Sequence, residues 1–285
     1  MATVVSITNP ITGAVEQVDK LDHTAQQIDD AVALAPQLSN PNLLDNWYFG
    51  NPVNQRNVSG AIDAVGYFLD RWKLVSGSVT IGSNGITLNG TIAQILETAV
   101  GTDVTASALT TEGVVVASYD NNSKTISLTG TGQTFVAAKL ELGSQQTLAH
   151  QDADGNWVLN EIPNYGEQLR RCQRYFCRFN FGRNDLFFGS LTSNLDKAWI
   201  TIPTPVVMRT APSVSFSGTF NGVIRGNGFQ LEFLTGNSTV AADTSTTRCC
   251  NILITPNTKP SAWTAQQVVM IYTSTEWYMD CSADL

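Results

Sequence analysis

The sequence predicts a mainly β protein: an N-terminal α-helical coiled coil, then a jelly-roll β-sandwich, then a C-terminal β-sandwich. Three observations lead there. The chain is 14% charged, against about 25% for an average soluble protein, while its apolar share of 42% is ordinary. Ser, Thr, Asn and Gly fill the gap, and a chain rich in Thr, Val and Gly favours short strands joined by tight turns. Finally, the apolar period changes from a heptad before Pro36 to two residues after Leu43, with turn-forming clusters between the runs.

Residues 1–40 read as an attachment segment and coiled coil. Over 14–35, Ile11, Val18, Ala25 and Val32 fall at heptad position a, and Ala14, Leu21, Ile28 and Ala35 at d. The apolar stripe is little wider than these positions, which suits a partner helix better than docking on the chain's own domain. β-branched residues at a with Ile28 at d lean towards three strands. Pro36 ends the helix, and Ser39-Asn40-Pro41-Asn42 is a linker.

Residues 41–150 read as the jelly roll. Runs such as Ser78–Ile81, Gly85–Leu88, Gly113–Ser118, Thr125–Leu128 and Thr134–Leu140 alternate or are β-branched. Gly82-Ser83-Asn84-Gly85 and Asp120-Asn121-Asn122-Ser123 punctuate them. Residues 151–176 form a connector: a hairpin turning at Asp154-Gly155, then a short helix with Tyr165, Leu169, Cys172 and Phe176 on one face. Residues 177–285 return to strands, at 186–191, 199–202, 214–220, 229–234, 251–255 and 268–273.

Several classes are disfavoured. A net charge of −8 argues against neutralising nucleic-acid phosphates. No apolar run is long enough to span a membrane, and the N-terminus lacks the basic and apolar regions of a signal peptide. The five cysteines lack metal-ligand spacing. Free, mostly buried thiols from a reducing cytosol are expected, with a Cys172–Cys177 or vicinal Cys249–Cys250 disulfide left open. No metal and no cofactor is expected. His23 and His150 suggest no nucleophile pairing, and neither a phosphate loop nor His-Glu-x-x-His is present. Asp152-Ala153-Asp154-Gly155-Asn156 has alternating oxygens, but its Gly and the missing Glu do not fit an EF-hand loop, so a plain turn is favoured.

A family resemblance enters through blocks in fixed order. Asn42-Leu43-Leu44-Asp45-Asn46, Phe49, Pro52-Val53-Asn54-Gln55-Arg56 and Asp70-Arg71-Trp72 resemble the opening of a phage tail-fibre module, itself similar to galactose-binding-like jelly rolls of carbohydrate-binding modules. Ala138 to Ser144, with Thr147 and His150, resembles its closing strand. Tyr165-Gly166-Glu167 through Phe176 resembles the connector, and Ile202 to Val214 the terminal domain. Asn57 stands where the pattern usually has Gly, which leaves that turn open.

The resemblance implies a homotrimeric virion fibre protein that recognises the host cell surface through multivalent, non-catalytic binding. Its partners would be itself, other tail or baseplate proteins through the N-terminus, and a host cell-surface glycan, with no nucleic acid and no membrane. Candidate sugar contacts are Tyr48 and Tyr67, the aromatics expected near the surface, with Asn54, Gln55 and Arg56 as hydrogen-bonding partners. The same block beside a turn also fits a structural role. The basic connector (Arg170, Arg171, Arg174, Arg178) fits anionic host polymers, salt bridges to acids of neighbouring subunits, or a solvated helix face. Alternatives are a purely structural virion part and a glycan depolymerase. The latter needs two carboxylates about 5–10 Å apart, for which Glu97, Asp103, Glu112, Asp120 and Glu141 are the candidates.

Overall fold

Alternation of β-branched and aromatic residues with Gly and Asn turns produces what the chain builds: mainly β structure in sandwich- and barrel-like sheets. In the computed structural model, the described residues are 4–8, 15–19, 39–191, 196–218, 221–226, 229–233, 238–258, 261 and 267–285. They form two compact units, one of residues 1–39 and 147–161, the other of 40–146 and 162–285.

In the first unit, β1 (Val4–Thr8) pairs antiparallel with β2 (Val15–Asp19), Val5 opposite Val18. This corrects the helix expected from residue 14: Val15 to Asp19 is strand, since a β-branched partner run at Val4–Thr8 offers Val15 and Val18 a ladder. Of the heptad residues, Ile11, Ala14, Leu21, Ala25, Ile28, Val32 and Ala35 lie outside the described residues.

The second unit opens with an eight-stranded sheet. Its strands are β3 (Gly60–Ile62), β4 (Gly66–Leu69), β5 (Trp72–Gly82), β6 (Gly85–Ile95), β7 (Val104–Thr110), β8 (Gly113–Val116), β9 (Ser118–Asp120) and β10 (Thr125–Leu142). The path runs β3-β5-β6-β10-β7-β8, with β4 on β5 and β9 on β10. The long strand β10 changes partner at Phe135, pairing β6 before it and β7 after it. Register shifts at Thr131/Gln133 and Phe135/Ala137 mark the bend, as expected of bulges that turn a corner. Trp72, Phe49, Phe68, Leu74, Leu88 and Phe135 fill the interior.

The hairpin expected after residue 150 is present in the first unit: β11 (Ala149–Gln151) pairs with β12 (Trp157–Leu159). Asp152 Oδ1 accepts from the Asp154 and Asn156 amides, a turn rather than a cation loop. Helix α1 (Tyr165–Gln173) starts at Asn164, whose side chain accepts from the Glu167 amide. It stops before Phe176, expected as its last apolar position, because Arg174 and Tyr175 close the turn and β13 (Phe176–Phe181) begins there.

The terminal part packs two sheets. The smaller one orders β13, β22 (Trp277–Ser282) and β16 (Ser213–Gly218). The larger contains β14 (Leu186–Leu191), β15 (Ala198–Pro203), β17 (Gly222–Gly226), β18 (Phe229–Phe233), β19 (Ser238–Ala242), β20 (Cys249–Pro256) and β21 (Val268–Thr273), in the order β18-β17-β21-β14-β15-β20-β19. Both contribute to one core, with Phe181, Met279 and Trp277 against Ile200, Ile252 and Ile271. All five cysteines are free thiols, and Cys250 and Cys281 meet in this core with their sulfurs 2.8 Å apart.

Candidate functional site

The sequence blocks that suggested sugar contacts converge, but on the joint between the first β domain, α1 and the terminal sandwich. Asn54 closes its own turn, donating to the Val58 carbonyl at 2.7 Å and accepting from the Val58 amide. Gln55 donates from its backbone to Asp70 Oδ2 at 2.6 Å and from its side chain to the Phe176 carbonyl at 2.8 Å. Arg56 pairs with Asp284 and lies 3.8 Å from the Phe176 ring centroid. Tyr67 donates to the Leu285 carbonyl at 2.6 Å, and burial pushes its hydroxyl pKa up. Tyr48 is half-buried, with its ring over Gly50. Asn54, Gln55, Arg56 and Tyr67 thus each have partners within the chain.

The basic connector shows the same pattern. Arg171 Nε sits 2.6 Å from Asp45, Arg174 grips Glu97 with two hydrogen bonds, and Arg178 grips Asp280 at 2.6 and 2.7 Å. These acids lie in the same chain, because the fold brings distant carboxylates onto the helix and onto β13. Arg170 remains exposed.

A different place in the first β domain has the form of a binding site. A groove of about 870 Å3 opens over β7 and β8, continuing along β9 to Gln145. Ser107 on β7 faces Val116 of β8 in register. Ser107 is 2% exposed, and its hydroxyl has no hydrogen-bond partner among the described residues. Val116, by contrast, is 93% exposed. Leaving a buried hydroxyl unpaired costs about 1–3 kcal/mol, and a ligand oxygen at this place would recover it.

The groove's rim is fixed by local bonds. The Gly101 amide donates to Asn121 Oδ1 at 3.0 Å, Tyr119 donates to the same oxygen, and the Val100 amide donates to the Tyr119 hydroxyl. Amides, hydroxyls and one tyrosine thus surround an apolar wall of valines, a lining suited to a neutral, hydroxyl-rich ligand with C–H faces.

Asp120 is the single carboxylate of the described lining. Ser123 Oγ and the Asn122 amide hold it ionised, below the usual carboxylate pKa. Among the other acids considered for glycoside chemistry, Glu97 is lowered by Arg174, and Glu141 is buried 3.5 Å from Lys139. Asp103 and Glu112 are exposed outside the groove. Among the described residues no cluster of three His, Cys, Asp or Glu could hold a metal, and no helix is long and apolar enough to cross a membrane.

Sequence reading missed Ser107, Asn121 and Gln145. The available signal was the Val114-Val115-Val116 run beside Asp120-Asn121-Asn122-Ser123, an exposed apolar strand next to an amide-rich turn. No protein-family model, no curated protein and no solved structure matches the chain.

Proposed function

We propose that the chain is a homotrimeric phage fibre protein whose first β domain, a carbohydrate-binding-like jelly roll, holds a neutral cell-envelope glycan in the Ser107 groove without cleaving it. The observation that carries this reading is the buried, unpartnered Ser107 hydroxyl in a groove of amides, hydroxyls and exposed valine. The order of the tail-fibre-like blocks supports the virion setting, with the N-terminus joining other tail or baseplate proteins and the coiled coil making the trimer. Synthesis in the host cytoplasm and release within the virion accord with this role.

The test is binding of the purified protein to an array of neutral bacterial envelope oligosaccharides, with soluble product release followed in parallel. Ser107→Ala is expected to fold with unchanged or slightly higher stability, since it removes an unsatisfied group. Its affinity is expected to fall about tenfold, the loss of one buried hydrogen bond. Equal binding by wild type and Ser107→Ala would remove the groove from the reading. Release of oligosaccharide would make the protein an enzyme instead.

A further inference from the structure

Arg71 is an unusual residue to bury. It occupies a left-handed backbone position, φ 72°, and is 2% exposed. Its Nε donates to Asp45 Oδ2 at 3.1 Å, its Nη2 donates to the Ile95 carbonyl, and its guanidinium lies 3.5 Å from the Tyr175 ring centroid. Nη1 is buried with no hydrogen-bond partner among the described residues. Asp45 also receives Arg171, whose Nε is 2.6 Å from Oδ1. Two guanidinium groups therefore share one carboxylate. Arg174 beside them is matched by Glu97 at 3.1 and 3.0 Å and leaves no acid over.

Asp45, Arg71, Glu97, Arg171, Arg174 and Tyr175 line one cavity of about 330 Å3 together with Gln94, three arginines against two acids. Positive charge exceeds negative along this lining, and the natural complement is an anion that accepts several N–H bonds at once. Guanidinium groups recognise phosphate in this way, by forked hydrogen bonds to its oxygens. The space exceeds what a single phosphate needs, so it also admits a phosphate carried on a larger molecule.

We propose that this cavity is a phosphate-binding site, in which Arg71 Nη1 and the Arg171 guanidinium hold the oxygens of a free phosphate or of a phosphodiester in a polymer. The site shares no lining residue with the Ser107 groove. It stands whether or not that groove binds glycan.

Calorimetry and thermal unfolding of the full chain test it, using inorganic phosphate and poly(glycerol phosphate) against chloride at equal ionic strength. Phosphate is expected to raise the melting midpoint beyond chloride. Arg171→Gln is expected to weaken binding about tenfold or more, the loss of one charge-assisted contact, while Ser107→Ala leaves it unchanged. Tighter binding of the polymer identifies a phosphodiester ligand, and equal binding identifies the free anion; each supports the site. Arg71→Lys gives a second reading of the same contact, and if that variant does not fold, Arg171→Gln alone decides. Identical effects of phosphate and chloride, or undiminished phosphate binding by Arg171→Gln, would overturn the proposal.

Discussion

Asp70 shows how much one side chain can tie together. Its carboxylate is fully buried beneath the Gln55 amide, and its carbonyl accepts from Asn46, which also binds both polar backbone groups of Val53. Burial raises its pKa from 3.8 to about 6, against the lowering effect of the Gln55 bond and Arg56. A raised acid pKa means that the folded state binds the proton more tightly than the unfolded state. The stabilising contribution is therefore complete below pH 3.8 and is lost as pH rises through about 6. Stability is expected to fall across that window by up to about 3 kcal/mol, and Asp70→Asn to flatten the slope. Urea denaturation at pH 4, 5, 6 and 7 reads both; an unchanged slope in the variant would assign the effect elsewhere. Asn57 gives a second residue-scale result: its φ of 55° keeps the left-handed turn for which the tail-fibre-like pattern usually has Gly, a conformation Asn tolerates better than most residues.

At the scale of elements, the close approach of three strands in the first sheet rests on a column of glycines. Gly77, Gly90 and Gly130 stand side by side in register on β5, β6 and β10. A Cβ on Gly90 would lie 2.1 Å from the Ser76 carbonyl, and one on Gly77 2.1 Å from the Asn89 carbonyl. Backbone occupies both places, so nothing can move aside cheaply. Gly90→Ala is expected to cost at least about 3 kcal/mol, read as a lower urea midpoint; a loss below 1 kcal/mol would mean that the strands separate easily. Arg178→Ala is expected to cost about 3 kcal/mol as well, because it strands Asp280 in a partly buried pair and removes a bond to the Arg56 carbonyl. Most strands were legible from alternation, including the six expected in the terminal domain. Strands β17, β19 and β22 were not: Gly222–Gly226 and Ser238–Ala242 are short and weakly patterned, and Trp277–Ser282 was read only as part of the chain's ending. At β13, Phe176 fitted helical spacing as well as strand. Val15–Asp19 was misread for a related reason: five residues can satisfy a heptad and an alternating strand together.

At the scale of the molecule, a chain that is poor in charge places four of its ion pairs where the parts meet. Asp45–Arg171, Glu97–Arg174, Arg178–Asp280 and Arg56–Asp284 all link segments far apart in sequence, the last across 228 positions. Such pairing leaves no trace in local patterning, which is why the arginine run was legible only as a run and its partners were sought in other subunits. The groove was illegible for the same reason, since Ser107 becomes special only once β8 and β9 surround it. The proposed trimer is a separate matter and rests on the tail-fibre-like resemblance and the heptad. With Val15–Asp19 in a strand, the apolar seam left to it runs from Leu21 to Ala35, roughly two heptads, which is marginal for an independent coiled coil. The trimer is therefore expected to have a mass near three times 30.8 kDa at high concentration and to dissociate on dilution. Ile28→Asp is expected to give a monomer whose groove binds a soluble oligosaccharide as before, while attachment to a glycan-coated surface weakens by at least about a hundredfold through lost avidity. Light scattering and surface binding on the same samples decide it: a monomer at every concentration would remove the trimer, and a trimer that survives Ile28→Asp would move its contacts out of the heptad.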